Sequence, residues 1–544
     1  MERESAKLFR ENHSRYIRPG SNYDLPIIGN LVSRATSSTF TLVGLCWDCV
    51  RTVLDRDLGK SLLKRSKTTV TARPEHSPMS VNQKQSYTVL PGLRLDEFQK
   101  RRSCLMESIY KLSSKDERIF NNNHLVVIPS SSKLYMSEKI PYVFRQNTDF
   151  LYLSGCLEPG SALVLSGAGG GHHTSTLFVR QKDVHAEMWD GPRTGTEGAL
   201  ELFGVDQSLP MQELGLFLKS FSKSHSKFML WYDFTHPAEP EVHKTMQGFL
   251  ANIINKVWES PKHLLHRLRL YKSPSEVALM HASCKVASEA IAVTIQDSHP
   301  GVTEHQLFAR VDYECRMRGA ETLAYPPVVA GGTRANIIHY ISNNQVVQAG
   351  EMVLMDAGCE YHGYNSDITR TWPISGKFSS NQLELYEAVL SVQSDLIKRC
   401  SNFPSLDSLF YEMCDLLGHS LQQVGLLPRN LNKDQLSKAA YSYCPHHVSH
   451  YLGMDVHDTA LIPRSIPLEP GMIITVEPGV YVSPKNQWAP PEFYGMGIRI
   501  EDDILITSEG PVVLTESCPK TVEQMEKLAS LIPSVPTVSI THCM

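Results

Sequence analysis

The spacing of apolar and polar residues divides the chain into three stretches. Residues 1–75 show little periodicity and many Arg, Lys, Ser and Thr residues, which predicts a variable, poorly ordered N-terminal extension. Residues 90–258 combine short apolar runs with a helical repeat, and this mixture predicts a small α/β domain. Residues 265–530 alternate amphipathic helices with strand pairs. We therefore predict an α+β domain whose helices cover one face of an antiparallel sheet.

The first domain contains one clearly predicted helix and several short strands. Apolar residues recur every three or four positions between Leu95 and Leu112, as on the buried face of a helix. Apolar runs predict strands at Leu125–Pro129, Phe150–Gly155, Ala162–Ser166, Thr176–Arg180 and Phe228–Asp233. The glycine-rich run Gly167–Gly171 lacks the ending of a phosphate loop and is predicted to be a hairpin connection. With no ligand cluster, the domain is expected to shape the substrate site, to dimerise or to be structural.

Helix-terminal signals organise the second domain. Helices are predicted to begin at the capping boxes Ser273–Glu276 and Thr303–Gln306, at Asn381 and at Leu406. The last of them is expected to end at Val424, because Gly425 can adopt the left-handed conformation that closes a helix. Strand pairs are predicted between and after these helices.

Two aspartates within strand-like sequence suggest the first chemistry. Asp356 and Asp367 flank Tyr361–Asn365, whose Gly and Asn favour a turn, so a hairpin would bring both carboxylates to one face. Adjacent ionised carboxylates repel unless a cation lies between them. Oxygen ligands suit hard divalent ions such as Mg²⁺, Mn²⁺ and Co²⁺. Taken alone, the pair could equally consist of solvated turn residues.

Four further stretches of this domain supply metal ligands or proton carriers. The candidates are His339 at a predicted strand end, the histidine run His446, His447, His450 and His457, Glu477 before Pro-Gly, and Arg499 and Glu501 on one strand face. A single histidine such as His339 is commonly a core or surface residue instead. If four carboxylates and one imidazole were buried together, two divalent cations would be needed to neutralise the negative charge of the carboxylates. The set is Asp356, Asp367, His450, Glu477 and Glu501, and it is too oxygen-rich for structural zinc and suits Mn²⁺ or Co²⁺.

The composition narrows the alternatives. At 544 residues the chain is expected to hold two to three domains, and its net charge of −4 gives no electrostatic case for binding nucleic acid. Twelve scattered cysteines favour a reducing compartment, and the single pair Cys46 and Cys49 is a weak metal candidate. No apolar stretch approaches the roughly 20 residues of a membrane span. Early acidic residues such as Glu2 and Glu4 argue against a typical organelle-targeting presequence.

These motifs together resemble the pita-bread metallopeptidases, the family of methionine aminopeptidase, prolidase and aminopeptidase P. The order and spacing of Asp356, Asp367, His450, Glu477-Pro-Gly and Arg499-Ile-Glu501 match that family's ligand pattern. Phe144–Phe150, Met188–Arg193 and the motif His446-x-x-x-His450-x-x-Gly-x-x-x-His457-Asp are similar to the aminopeptidase P branch. Ala324–Gly332 and Cys444–His447 resemble its mitochondrial type.

The resemblance implies a role for each site residue. Asp356 and Asp367 would bind two metals with Asp367 bridging, His450 and Glu477 would complete one metal site, and Glu501 would bridge both. A metal-bridging hydroxide would attack the peptide carbonyl, with Glu477 as general base. His339, His446 and His457 would bind substrate, stabilise the oxyanion or move protons, and Tyr481 and Arg499 would support the site through hydrogen bonds.

The implied activity is that of an Xaa-Pro aminopeptidase, which cleaves the bond between an N-terminal residue and a following proline. The alternatives are a prolidase acting on Xaa-Pro dipeptides and a non-catalytic binding protein on the same fold. The implied cofactors are two divalent ions, Mn²⁺ or else Co²⁺. The implied partners are peptides with proline at the second position and a second copy of the chain, with neither nucleic acid nor membrane. The implied location is mitochondrial, with the cytoplasm as the alternative.

Overall fold

The structure is a computed structural model that describes residues 88–114, 123–167, 172–253 and 257–530. The predicted extension at 1–75 and the pair Cys46 and Cys49 lie outside the described residues. We call residues 88–259 the N-terminal domain and residues 262–530 the C-terminal domain.

The N-terminal domain is built on a six-stranded mixed sheet. The strands of the whole domain, β1–β10, are Thr88–Leu90, Leu93–Arg94, His124–Pro129, Tyr135–Ser137, Ile140–Pro141, Ala162–Gly167, His173–Val179, Gln207–Pro210, Met229–Trp231 and Trp258–Glu259. Its helices α1–α6 are Leu95–Ser113, Thr148–Ser154, Val184–Asp190, Gly195–Phe203, Leu214–Ser224 and Pro240–Asn252. The order in the sheet is β10-β9-β3-β6-β7-β8. Alternate residues of β3 enter two different hydrophobic cores, so both faces of the sheet are covered.

One predicted strand of this domain is wrong. Residues predicted as the strand Phe150–Gly155 form helix α2 instead. Asn147 caps the helix by accepting a hydrogen bond from the Phe150 N–H at 2.9 Å, and Gly155 closes it at φ 69°. From Asp149 to Ser154 every residue is buried, and an apolar run buried all round has no periodicity that separates a helix from a strand.

The C-terminal domain repeats one pattern, in which a pair of long helices is followed by antiparallel strands. Its helices α7–α13 are Lys262–Leu270, Pro274–Gln296, Glu304–Met317, Ser380–Arg399, Leu406–Val424, Lys433–Tyr443 and Val522–Ala529. Its strands β11–β21 are Thr322–Leu323, Val328–Gly331, Met352–Ala357, Cys359–Tyr361, Tyr364–Asn365, Ile368–Pro373, Ile473–Val476, Gly479–Tyr481, Gly497–Arg499, Asp502–Thr507 and Gly510–Val513. Every strand pairing described in this domain is antiparallel, as predicted.

Most helix starts agree with the sequence signals, and two details differ. Both capping boxes are present, and Gly425 closes α11 at φ 86°. Helix α10 begins at Ser380 rather than Asn381, because Ser379 and Gln382 form a further capping box. Helices α7, α12 and α13 were not predicted.

Helix α8 contributes residues to two hydrophobic cores. It has the length and apolar composition of a membrane span, although the sequence analysis found no such stretch. A helix in the core of a folded domain can have the same length and apolar composition. Residues of α8 enter the cores of both domains, with Ile291 in one and Met280 in the other. We therefore interpret α8 as a core helix that joins the two domains.

Candidate metal centre and active site

A hairpin brings the two aspartates together, as the sequence predicts. Asp356 lies on β13 opposite Thr369 of β16, and Asp367 directly precedes β16. The chain reverses between β14 and β15 at His362 (φ 51°) and Gly363 (φ 83°), the left-handed pair that a two-residue turn requires. The Tyr325 hydroxyl donates to Asp356 Oδ1 at 2.5 Å and also contacts Asp367 Oδ1. Both carboxylates therefore face the same point.

The other three predicted ligands meet this pair from separate segments. Glu477 follows the end of β17, and Glu501 lies between β19 and β20, where the Thr369 hydroxyl donates to its Oε2 at 2.6 Å. His450 Nε2 lies 3.3 Å from Asp367 Oδ2 and 3.8 Å from Glu477 Oε1. Ligand atoms of Asp367, His450 and Glu501 all lie within 4.8 Å of one another.

The electrostatics of this cluster fit divalent cations. Burial, and then the neighbouring carboxylates, raise the pKa values of Asp367, Glu477 and Glu501 well above their usual range. Burial also lowers the pKa of His450, which leaves a neutral imidazole able to bind a metal. Such a concentration of buried negative charge needs cations, and carboxylate oxygens with one imidazole are ligands for hard or borderline divalent metals. The donor set therefore fits the metals that the sequence suggests.

Arg499 is a cation that the protein itself places against this cluster. Its Nη2 lies 2.5 Å from Asp356 Oδ2, its Nε donates to the Thr369 hydroxyl at 3.1 Å, and its Nη1 donates to the Tyr481 hydroxyl at 2.7 Å. Burial opposes its charge, but Tyr481 and Asp356 outweigh burial and raise its pKa well above the usual value. Arg499 therefore stays charged and orients Asp356.

A hydrogen-bonded chain leads from Arg499 to the histidines. Since the Tyr481 hydroxyl accepts from Arg499, it can donate to His446 Nε2, which lies 3.0 Å away. His446 Nδ1 then donates to the His447 carbonyl at 2.9 Å and lies 3.8 Å from Glu477 Oε2. Burial, together with Arg499, lowers the pKa of His446 to about 4, so its imidazole is neutral at pH 7. In this tautomer Nδ1 carries the proton and Nε2 accepts a hydrogen bond, so His446 is a fixed neutral hydrogen-bonding group beside Glu477.

The cluster opens into a cavity of about 660 Å³. The imidazoles of His339 and His457 line it, and the His457 ring lies 4.5 Å from the His450 ring between centroids. Burial, with His450 next, lowers the pKa of His457 to about 4. The apolar side chains of Ile338, Ile341 and Val456 line the same cavity. The cavity thus joins hydrogen-bonding imidazoles to apolar surface.

The structure brings nearly every predicted site residue to this cavity. Tyr481 is not among its lining residues and lies behind Arg499 and His446. His339 lies in a turn after the short 3-10 helix Gly332–Asn336, so its predicted place at a strand end is wrong. Tyr325, Thr369 and Arg464 belong to the site but were not predicted. For Thr369 a signal existed, because it follows Asp367 by two positions and faces the same way.

Comparison with known proteins agrees with this geometry. Residues 278–508 match metallopeptidase family M24, and residues 98–231 match the aminopeptidase P N-terminal domain. The chain belongs to the M24 metallopeptidases, in the aminopeptidase P branch. Its pita-bread catalytic fold, preceded by a smaller N-terminal domain, is the fold class predicted from the sequence.

Individual relatives make the placement more specific. The chain is 45% identical to Xaa-Pro aminopeptidase 3 of Rattus norvegicus over 449 residues, covering 81% of this chain and 87% of that protein. It is 37% identical to the mitochondrial intermediate cleaving peptidase 55 of Arabidopsis thaliana, covering 87% of this chain and 93% of that protein. Zinc-substituted aminopeptidase P of E. coli in complex with product superposes with a TM-score of 0.73 at 31% identity, covering 80% and 98% of the two chains.

Proposed function

We propose that this chain is a metal-dependent Xaa-Pro aminopeptidase that releases an N-terminal residue preceding proline. The observation that carries the proposal is the group of four carboxylates and one imidazole at the base of a peptide-sized cavity. The chain's similarity to named Xaa-Pro aminopeptidases over most of its length supports the same activity.

The metal ligands are proposed to be Asp356, Asp367, His450, Glu477 and Glu501, with two divalent ions bound. We propose Mn²⁺ as the metal, with Co²⁺ as the alternative, because both accept carboxylates and imidazole. When bound, the two ions supply a nucleophilic hydroxide at neutral pH and polarise the scissile carbonyl.

The remaining residues bind substrate and move protons. Glu477 takes the proton of the attacking water and delivers it to the leaving nitrogen, and the neutral imidazole of His446 lies beside it, 3.8 Å away. His339 and His457, whose imidazoles line the cavity wall, donate to the peptide and to the oxyanion. Arg499 and Tyr481 hold Asp356 and His446 in place.

The preference for proline has a physical basis in the same cavity. Proline has no backbone N–H. A site that selects it therefore cannot accept a hydrogen bond from that nitrogen and must recognise the ring instead. Ile338, Ile341 and Val456 provide apolar surface beside the imidazoles, and we propose that the proline ring packs there.

We further propose a mitochondrial location, supported by the similarity to a peptidase whose name places it in mitochondria. The cytoplasm is the alternative, and tagging the full chain at its C-terminus and imaging it would decide between them. A homodimer stays a prediction, which light scattering would test.

The activity is tested with a matched set of peptides. Metal-loaded protein is given Arg-Pro-Pro, Ala-Ala-Ala and Ala-Pro, and the released residue is quantified. The proposal expects cleavage of Arg-Pro-Pro at its first bond and little cleavage of Ala-Ala-Ala. Preferred cleavage of Ala-Pro would identify a prolidase instead, and no cleavage by metal-loaded protein would favour a binding protein.

A further inference from the structure

A buried ionic cluster connects the N-terminal domain to residues 450–458, which we call the histidine loop. At its centre is Arg269 of α7, only 3% exposed. Arg269 Nη1 donates to Asp149 Oδ1 of the N-terminal domain at 2.7 Å. Its Nη2 donates to Asp455 Oδ2 at 2.7 Å and contacts Asp458 Oδ1. One guanidinium therefore binds a carboxylate of the N-terminal domain and two carboxylates of the histidine loop.

Two residues of the N-terminal domain, Arg145 and Thr148, donate hydrogen bonds directly to the histidine loop. Arg145 Nη1 donates to Asp455 Oδ1 at 3.1 Å and Nη2 donates to the Met454 carbonyl at 2.7 Å. Its Nε donates to Glu360 Oε2 at 2.9 Å, which ties the loop to the strands that follow Asp356. The Thr148 hydroxyl donates to Asp455 Oδ1 at 2.8 Å. These contacts are charge-assisted, so they fix direction as well as distance.

The conformation of the histidine loop depends on contacts with other parts of the chain. Thr459, directly after Asp458, has φ 49°, a left-handed value that a β-branched residue rarely adopts. The Asp458 carboxylate packs against Gly453 where no Cβ would fit, so the loop folds tightly on itself. His457 lies between the two anchored carboxylates and projects into the cavity. Its orientation therefore depends on the contacts of Asp455 and Asp458.

We propose that Arg145 and Arg269 are positioning residues that set His457 at the substrate cavity through Asp455 and Asp458. The inference deepens the proposed function and rests on the substrate-binding role given there to His457. It assigns a task to the motif Phe144–Phe150, which the sequence analysis singled out. Within the described residues, Arg145 and Arg269 do not line the cavity, so they act on substrate only through the loop.

A purely structural role for Arg145 predicts something different, and a double-mutant cycle separates the two. Arg145→Ala and Thr148→Val are each made in the wild type and in His457→Ala, and Arg-Pro-Pro hydrolysis is measured with metal content. Thr148→Val removes one hydroxyl at nearly constant shape, so it remains informative if Arg145→Ala folds poorly. Arg145→Lys tests rescue, because it keeps the charge but loses the planar fork.

The control is Arg101, a second arginine between the two domains, whose side chain is 5% exposed against 46% for Arg145. It donates to the Tyr364 hydroxyl at 3.1 Å and lies 3.3 Å from Glu276, without touching the histidine loop. Arg101→Ala therefore loosens the domain contact without releasing Asp455. It shows what a general weakening of the interface does to hydrolysis and to coupling with His457.

The proposal expects Arg145→Ala to lower kcat/KM about tenfold, mainly through KM, at unchanged metal content. In the His457→Ala background the same change should cost less than about twofold, because the residue it positions is gone. Arg145→Lys should recover part of the loss, and Arg101→Ala should show no coupling. Equal losses in both backgrounds, or equal coupling for Arg101, would overturn the inference. Failure of the wild type to cleave Arg-Pro-Pro would instead reject the proposed function.

Discussion

Replacing Arg499 by methionine tests how the protein balances its buried carboxylates. The guanidinium makes hydrogen bonds to Asp356, Thr369 and Tyr481, and it is buried together with the ligand cluster. Breaking a buried pair by removing one partner costs about 3–5 kcal/mol. We expect that cost in the metal-free protein, where the Asp356 carboxylate loses its guanidinium partner. Bound metal supplies the missing positive charge, so the cost should be smaller in the metal-loaded protein.

The activity of the same variant should fall further than its metal content. Loss of an outer-sphere partner typically costs about 10–100-fold in activity or affinity. Here we expect the upper end for kcat/KM, because Arg499 orients both Asp356 and the Tyr481–His446 chain. The assay is Arg-Pro-Pro hydrolysis with metal analysis of the same sample, and calorimetric unfolding with and without Mn²⁺.

Arg370→Met provides the control for stability. Arg370 is equally buried and pairs with Asp502 at 2.7 Å, a carboxylate outside the proposed ligand set. Its loss should destabilise the protein by a similar amount whether or not metal is bound. If Arg499→Met showed the same metal-independent cost, or retained full kcat/KM, the role given to Arg499 would be refuted.

Three further predictions concern the same cluster. Tyr325→Phe should destabilise the metal-free protein by about 1–3 kcal/mol, since two buried carboxylates lose their donor, and calorimetry should show a smaller effect with metal bound. Raised folded-state pKa values of Asp367, Glu477 and Glu501 mean that the metal-free folded state holds protons which the unfolded state has released. The lowered pKa values of the site histidines act in the opposite direction below about 6.5, so the free energy of unfolding should fall with rising pH only above that value, and a stability that rose between pH 7 and 8 in chelator would contradict this. Asp367→Asn should lower both bound metal and kcat/KM by more than about 100-fold while circular dichroism stays unchanged, and normal metal content would remove Asp367 from the ligand set.

The parts of the site that could be predicted are those encoded by nearby residues. Asp356 and Asp367 are joined by a short hairpin whose turn residues are visible in the sequence, and Glu477 ends a strand at Pro-Gly. Tyr325 reaches Asp356 across 31 positions, and Arg269 reaches Asp458 across 189. Such contacts depend on the tertiary packing of segments far apart in the chain, which no local spacing records. The domain ranges 90–258 and 265–530 stay predictions.

The helix that was predicted as a strand shows that a local element can also be misassigned. Helix α2 is short and buried on all sides, so its apolar residues carry no helical period, and its aromatic residues Phe150 and Tyr152 are also typical of strands. The capping residue Asn147 and the closing Gly155 were the available signals. They mattered beyond secondary structure, because the same turn carries Thr148 and Asp149, which contact the histidine loop and Arg269.

The most direct test of the account is a titration of metal-stripped protein with Mn²⁺ while Arg-Pro-Pro hydrolysis is followed. The account predicts no release of arginine in chelator and activity that rises to a plateau at about two metal ions per chain. Asp367→Asn, titrated in parallel, should stay inactive. Full hydrolysis by the metal-stripped protein, or saturation with metal without any cleavage of the proline peptide, would contradict the proposed metal-dependent aminopeptidase.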